Sequence, residues 1–291
     1  MKGRLLTEEH IKSFINHLRM EEKSKNTIEK YTRDVNTFAT FLNGKAVCKE
    51  IVIEYKQILI ADGYAVSSIN SMLAALNSLF DYFGWIECKV KAIKIQRQIY
   101  CPENKELSKA EYLRLVGAAE RNHNHRLNMI LQTICGTGIR ISELQFITVE
   151  SVKNGTVEVT CKGKNRVIFI VKQLKKKLLR YAAERHIKAG AIFITKSGKP
   201  INRTNVWREM KALCKQARVN PDKVFPHNLR HLFARTFYKL EKDIAKLADI
   251  LGHSSINTTR IYIISTGYEH LKCMENMRLV VRLHNADYVV N

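Results

Sequence analysis

The sequence has little proline, no cysteine pair at metal-binding spacing and no long apolar run. Four prolines and 13 glycines among 291 residues exclude a collagenous or low-complexity chain. Its seven cysteines are scattered, odd in number and without a CxxC pair, so neither a disulfide framework nor a zinc ribbon is indicated. The longest aliphatic and aromatic run, Val167 to Val171, is far too short to cross a bilayer. We therefore expect a cytoplasmic protein with no membrane partner.

Acidic residues are scarce relative to basic ones. The chain has 49 Lys and Arg against 27 Asp and Glu, a formal net charge of +22, while 45% hydrophobic residues exclude wholesale disorder. A charge of this size indicates a polyanionic partner, and nucleic acid is favoured over an anionic membrane because no lipid-facing helix is visible. Residues 1–100 contain 15 basic and 11 acidic residues, whereas residues 101–291 contain 34 and 16. The second part is therefore expected to bind the polyanion more strongly.

The first 88 residues predict a small all-α domain. Apolar residues recur at helical spacing in four segments: Ile11 to Leu18, Ile28 to Leu42, Val52 to Ile60 and Ile69 to Phe83. Asn43-Gly44 is expected to end the second helix, and Ser67 or Ser68 to cap the fourth.

Residues 89–105 form a stretch without a clear period, which predicts a basic linker. Its cations Lys89, Lys91, Lys94 and Arg97 are expected to follow a phosphate backbone, although a solvated tether is the alternative.

Residues 106–291 predict an α+β domain that is mostly helical with one small antiparallel β-sheet. Ser108 and Glu111 form a capping-box pattern at the start of a helix. Asn154-Gly155 is a hairpin signal, followed by strands at Val157 to Val159 and Val167 to Val171. Further helices are expected near 172–187, 204–217, 227–240, 243–251 and 267–283.

Three short segments contain side chains suited to phosphate chemistry. After Gly136-Thr137-Gly138, Arg140 is expected in the first turn of a new helix, where a cation is unfavourable unless an anion also binds. Alone, this arginine could equally be an ordinary surface residue. His227, Arg230 and His231 lie at i, i+3 and i+4, so they share one helix face.

The third segment contains a histidine and a tyrosine. His253 follows Gly252 in the turn between two helices, and Tyr262 comes nine residues later. Arginines bind phosphate oxygens through charge-assisted hydrogen bonds, and a tyrosine can act as a covalent nucleophile. If the fold brings these segments together, their arginines, histidines and tyrosine could cleave a phosphodiester without a metal ion.

In the order and spacing of these motifs the sequence resembles the tyrosine recombinase (phage integrase) family, in its simple two-domain Xer-like form. The matching residues are Thr137 to Leu144, Lys162-Gly163-Lys164, His227 to His231, Leu251 to Ser254 and Thr258 to Tyr262. The resemblance implies an N-terminal four-helix, SAM-like clamp domain over 1–88, the linker 89–105, and a catalytic domain with a terminal helix over 106–291.

The resemblance also implies roles for the site residues. Tyr262 would be the nucleophile, and Arg140 and Arg230 would bind the scissile phosphate. Lys162 would be the general acid, with Lys164 as the competitor because this loop is one residue shorter than the common pattern of the family.

Four further residues receive roles in the same way. His227 corresponds to the acid/base histidine and His253 to a second phosphate-binding group. Glu143 and His231 would support the arginines from behind, and Lys164 would also contact DNA.

The family implies double-stranded DNA with inverted-repeat core sites as the partner, and neither a cofactor nor a metal. It implies a homotetramer on DNA and a monomer or dimer without it. No arm-binding domain is expected before the clamp. A mobile-element recombinase is the favoured role, with a chromosome dimer resolvase or an invertase as the alternative. A type IB topoisomerase and a non-catalytic DNA-binding regulator remain rivals, whereas a metal-dependent nuclease would need clustered carboxylates that the sequence lacks.

Overall fold

The computed structural model describes residues 4–94, 105–161, 164–195, 197–262, 267–277 and 279. The chain divides into two compact units, Met1–Arg97 and Gln98–Asn291, each with its own hydrophobic core. Within the described residues, no helix is both long and apolar enough to span a membrane.

The N-terminal unit is helical, as its apolar spacing predicts. Its α-helices are α1 (Glu8–Met20), α2 (Lys25–Leu42), α3 (Lys49–Ala61) and α4 (Val66–Tyr82), followed by a 3₁₀ turn at Ile86–Cys88. Phe14, Phe38 and Phe80 are fully buried in the core that these helices enclose. The four-helix fold expected for this part of the chain is confirmed.

The ends of these helices agree with the expectation in one place and differ in another. α2 ends at Asn43, which adopts the left-handed conformation with φ 45° and is followed by Gly44. The predicted cap of α4 is wrong, because α4 already begins at Val66 and no side chain caps it. Ser68 instead lies in the first turn and donates its backbone N–H to the carbonyl of Ala65.

The C-terminal unit is mainly helical with one two-stranded sheet. Its α-helices are α5 (Lys109–Arg121), α6 (His125–Thr137), α7 (Val149–Asn154), α8 (Lys172–Glu184), α9 (Arg203–Ala217), α10 (Pro226–Glu241), α11 (Ile244–Leu251), α12 (Ile256–Arg260) and α13 (Gly267–Met277). The strands β1 (Thr156–Cys161) and β2 (Lys164–Phe169) pair antiparallel. The capping box predicted at the start of α5 is present, with reciprocal bonds between Ser108 and Glu111.

The two strands alternate between core and solvent. Val157 and Val159 of β1 and Ile168 of β2 are buried, whereas Phe169 is 69% exposed on the outer face. This alternation places Arg166, opposite Val159, on the inner face.

The hairpin predicted at Asn154-Gly155 is wrong. Thr148 and Ser151 form a capping box that starts α7, and Gly155 ends this helix with φ 81°. Residues 162–163, which connect the two strands in sequence, lie outside the described residues.

Helix α6 crosses the core and determines where the following arginine lies. Ile130, Leu131 and Ile134 are fully buried. The helix ends at Gly138, whose φ is 66°. A Cβ at this position would collide with the ring of Phe233, so only glycine fits here. The predicted position of Arg140 in the first turn of an α-helix is wrong, because Arg140 is the N-cap of a 3₁₀ helix, Ile141–Phe146. Capping by Glu143, three residues on, favours this tighter turn.

Candidate active site

The segments singled out in the sequence meet around Tyr262. This tyrosine directly follows α12, is 5% exposed, and packs against Ala234, Leu247 and Leu251 of α10 and α11. Pro226 occupies the first turn of α10, and the face of that helix presents His227 and His231 to the tyrosine ring. The phenol is thus held by a small apolar cluster on one side and by imidazoles on the other.

The imidazoles contact Tyr262 in different ways. The hydroxyl lies 3.3 Å from Nε2 of His227. The ring of His231 stacks on the phenol ring, with centroids 4.2 Å apart and planes at 25°. The ring of His253 lies 5.2 Å away. Of the three histidines, only His227 is therefore placed to exchange a proton with the hydroxyl.

Arg230 is the most deeply buried cation near the tyrosine, at 1% exposed. Its guanidinium donates to the carbonyl of Gly138 and, over 2.7 Å, to that of Leu251. Within the described residues it has no carboxylate partner, and its Nε has no hydrogen-bond partner. Burial, and secondly the charge of Arg140, lowers the pKa of Arg230 to about 10, while the nearby phenol of Tyr262 opposes this shift. The group stays charged at neutral pH and is suited to bind an anion.

Arg140 is held by a carboxylate and is more open to solvent. Its side chain is 39% exposed, and Nη1 donates to Oε1 of Glu143 over 3.0 Å. The backbone N–H of Arg140 donates to the other carboxylate oxygen over 2.8 Å. Glu143 is buried and also accepts from Arg166. One carboxylate therefore orients two arginines.

His253 is fixed in one tautomer by its two partners. Its Nε2 lies 3.2 Å from Nη2 of Arg230, and its Nδ1 lies 2.9 Å from the hydroxyl of Thr259. An arginine can only donate, so Nε2 accepts and Nδ1–H donates to the threonine. This arrangement requires a neutral imidazole.

All three histidines have lowered pKa values. Burial lowers the pKa of His231 to about 4, with His227 and Arg230 as further causes. Burial also lowers the pKa of His253 to about 4, and Arg230 and Arg140 add to the shift. The pKa of His227 is lowered for the same reasons. Neutral imidazoles beside a phenol can accept its proton.

For the remaining predicted residues, the described structure gives no position relative to this cluster. Lys162 lies outside the described residues, and of Lys164 only the backbone position at the start of β2 is described. Lys89, Lys91 and Lys94 belong to the N-terminal unit, and Arg97 lies outside the described residues. Within those residues, no group of three or more histidine, cysteine or carboxylate side chains is placed to hold a metal ion.

Sequence reasoning missed two residues that contact the cluster. Thr259 is fully buried and orients His253. Arg166 contacts Glu143 and the carbonyl of Leu251. Strand alternation could have revealed Arg166, because a cation in the inward row with Ile168 needs polar partners. Thr259 lies within the motif Thr258 to Tyr262, but the motif gives it no role of its own, since its partner His253 is six residues away across a turn.

Comparison with known proteins gives two family matches. Residues 105–267 match the phage integrase family, and residues 11–85 match the phage integrase N-terminal SAM-like domain. The tyrosine recombinase XerA of Pyrococcus furiosus is 30% identical over 281 residues, covering 94% of each chain. The tyrosine recombinase XerC of Thermodesulfovibrio yellowstonii is 28% identical, covering 88% of this chain and 91% of the relative.

Solved structures share the fold. A lambda integrase dimer bound to a core site aligns with a TM-score of 0.73 at 18% identity, covering 89% of this chain and 95% of that chain. The XerH site-specific recombinase bound to difH aligns with a TM-score of 0.65 at 17% identity, covering 94% and 99%. The mainly α architecture with a SAM-like first domain is thus confirmed.

Proposed function

This chain belongs to the phage integrase family of tyrosine recombinases and is a site-specific DNA recombinase; from that premise we propose that Tyr262 is the residue that cuts and rejoins the DNA strand. One observation supports this assignment above the others. The hydroxyl of Tyr262 lies 3.3 Å from Nε2 of His227, beside a buried Arg230 that has no carboxylate partner among the described residues. The proposed nucleophile Tyr262, the proposed base His227 and the proposed anion site at Arg230 are therefore neighbours.

In the cleavage step the Tyr262 oxygen attacks the phosphorus of the scissile phosphodiester. The bond from phosphorus to the 5′ oxygen breaks, leaving a 3′-phosphotyrosyl linkage and a 5′-hydroxyl end. A phenol has an ordinary pKa of about 10, so its proton must be removed as the bond forms. His227 accepts this proton, and Lys162 gives one to the departing 5′ oxygen. Lys164 is the alternative donor.

Fixed positive charge lowers the barrier to this step. Arg140 and Arg230 bind the non-bridging oxygens. When phosphate replaces Arg230 beside Nε2 of His253, the imidazole changes tautomer, so that Nδ1 accepts from the Thr259 hydroxyl and Nε2–H donates to the phosphate. Phosphoryl transfer gains mainly from such preorganised charge. The reaction uses no metal ion. The tyrosyl ester conserves the energy of the phosphodiester bond, so rejoining by an incoming 5′-hydroxyl needs no ATP.

The DNA partner is proposed to be a duplex with inverted-repeat core sites, bound by four copies of the chain. Solved neighbours include a lambda integrase tetramer bound to a Holliday junction. We assign residues 1–88 to a DNA clamp, 89–105 to a linker on the phosphate backbone, and 106–291 to the catalytic domain. A mobile-element role and a cytoplasmic location stay predictions.

The terminal helix supports assembly of several copies. Leu271, Met274 and Met277 of α13 form a stripe at helical spacing, and all three are exposed. An apolar stripe on a helix needs a surface to cover it. We propose that a neighbouring copy on the DNA provides that surface.

A suicide substrate tests the assignment of the nucleophile. Nicked duplexes from the DNA flanking the native locus should trap a covalent adduct with the wild-type chain, also in EDTA. The substitution Tyr262→Phe removes only the phenolic oxygen and should abolish the adduct while DNA binding persists. The matched control is Tyr238→Phe, which removes a hydroxyl from the same apolar cluster and should leave the adduct in place.

The outcomes separate the rival functions. An adduct from Tyr262→Phe would show that the nucleophile is another residue. DNA binding without any wild-type adduct would indicate a non-catalytic regulator. Supercoil relaxation without exchange between duplexes would indicate a topoisomerase.

A further inference from the structure

Arg166 connects the parts of the site that bind phosphate. It lies on the inner face of β2, and its side chain is only 10% exposed. Its Nη2 donates to Oε2 of Glu143, and its Nη1 donates to the carbonyl of Leu251, with the carbonyl of Ile250 at 3.5 Å. The guanidinium therefore spans from the 3₁₀ helix to the end of α11.

Two acceptors of Arg166, the carboxylate of Glu143 and the carbonyl of Leu251, are shared with the arginines of the phosphate site. Glu143 also accepts from the side chain and the backbone N–H of Arg140. The carbonyl of Leu251 also accepts from Nη2 of Arg230 over 2.7 Å. A displacement of Arg166 would thus release one partner of Arg140 and one partner of Arg230 at once.

The turn that holds His253 is shaped around the same side chain. Gly252 follows α11 with φ 63°, and a Cβ at this position would collide with Cδ of Arg166. Only glycine lets the guanidinium reach the carbonyl of Leu251 while His253 remains beside Arg230. The glycine before His253 is therefore explained by Arg166 as well as by the left-handed backbone.

We infer that Arg166 is a positioning residue for strand cleavage, which sets the distance between Arg140 and Arg230 and the orientation of His253 without contacting the DNA. Its charge is paired with the buried carboxylate of Glu143, and its other terminal nitrogen donates to the carbonyl of Leu251. A guanidinium bridges two acceptors with a fixed fork, whereas a lysine ammonium is a single point. The inference rests on the proposed function.

The first test compares Arg166→Lys with Arg114→Lys. Arg114 is exposed, donates to two backbone carbonyls of the same unit, those of Ala217 and Arg218, and serves as the control for loss of a bridging guanidinium. At saturating suicide substrate, Arg166→Lys should slow adduct formation about 10- to 100-fold, because misplaced groups lose rate rather than binding. The dissociation constant for DNA should change less than about threefold. Arg114→Lys should leave the rate unchanged, and it should lower the unfolding temperature less than Arg166→Lys does, because Arg114 is exposed.

The second test uses two glycines and does not depend on changing a charge. Gly252 and Gly155 both end helices with positive φ, but space is open around Gly155. Gly252→Ala should therefore slow cleavage, whereas Gly155→Ala should impose only backbone strain. In an Arg166→Ala background the three atoms nearest to the added methyl of Gly252→Ala are removed, so the further loss of rate should shrink to that caused by backbone strain alone.

The outcomes separate this inference from the proposed function. If the wild-type chain forms no adduct, the proposed function fails. If it does and Arg166→Lys cleaves at the wild-type rate, or Gly252→Ala loses no more rate than Gly155→Ala, the positioning role is overturned. A rate loss fully accounted for by weaker DNA binding would overturn it too.

Discussion

The two ends of the phosphate site hold their arginines in opposite ways. At one end, Arg140 is partly exposed and paired with Glu143, a carboxylate three residues further along the chain. At the other, Arg230 is buried and held by neutral acceptors, the carbonyls of Gly138 and Leu251 and the ring of His253. Carbonyls orient a guanidinium without neutralising it, so Arg230 presents more net charge to an incoming phosphate than Arg140 does.

This difference predicts unequal losses when each arginine is replaced by a neutral residue. Arg230→Gln should slow adduct formation about 10³-fold or more, and Arg140→Gln about 10²-fold, in line with the loss of a preorganised charge. The measurement is single-turnover cleavage of a suicide substrate at saturating DNA. Sulfate should also raise the unfolding temperature of the wild-type chain and of Arg140→Gln, but not that of Arg230→Gln.

Equal losses of rate, or a larger loss for Arg140→Gln, would contradict the comparison. Retained stabilisation by sulfate in Arg230→Gln would place the stronger anion site elsewhere. Arg126→Gln is the control, because Arg126 pairs with Glu209 in the same unit and no site role is assigned to it.

The same contrast explains how much the sequence could predict. The pairing of Arg140 with Glu143 lies within one helical turn, and the order of motifs indicated that His227, Arg230, His253 and Tyr262 would meet. The acceptors of Arg166 lie 23 and 85 residues away, so no local pattern could reveal them. Their proximity depends on tertiary packing.

Element types were predicted better than element boundaries. The helical spacing predicted α1 to α4 because one face of each must be apolar. The pair Asn154-Gly155 was misassigned because a left-handed glycine ends a helix as readily as it closes a hairpin. Its meaning depended on Thr148 and Ser151 upstream, which start α7.

The lowered pKa values of the histidines beside Arg230 predict how the stability of the protein depends on pH. Burial, together with neighbouring groups that include Arg230, lowers the pKa of His231 and His253 from 6.5 to about 4. Below pH 6.5 the unfolded chain therefore binds protons that the folded chain does not. The free energy of unfolding of the DNA-free protein should fall as the pH falls from about 6.5 to about 4, by up to about 3 kcal/mol for His231.

Substitution of one histidine isolates its contribution. Urea unfolding of His231→Asn between pH 7 and pH 4.5 should show a shallower fall than that of the wild-type chain. His186→Asn, at an exposed position, should leave the slope unchanged. An identical slope for His231→Asn and the wild-type chain would show that the stacked imidazole is not held neutral by its surroundings.

The smallest expected effect concerns the salt dependence of DNA binding, for which the N-terminal unit also offers one paired and one unpaired cation. Lys89 lies 2.7 Å from Oδ1 of Asp81, whereas the ammonium of Lys91 has no carboxylate partner among the described residues. If both lysines contact DNA phosphates, Lys91→Gln should make the negative slope of log K against log salt shallower by about 0.9, the value for one phosphate contact. Lys89→Gln should reduce it less, because Asp81 already neutralises that ammonium. Asp81→Asn removes the carboxylate that pairs with Lys89 and should therefore steepen the slope. The slope is measured by fluorescence anisotropy on one duplex between about 50 and about 300 mM salt, a range in which counterion release dominates. Equal changes for the two lysines would mean that pairing in the free protein does not decide which cations bind phosphate.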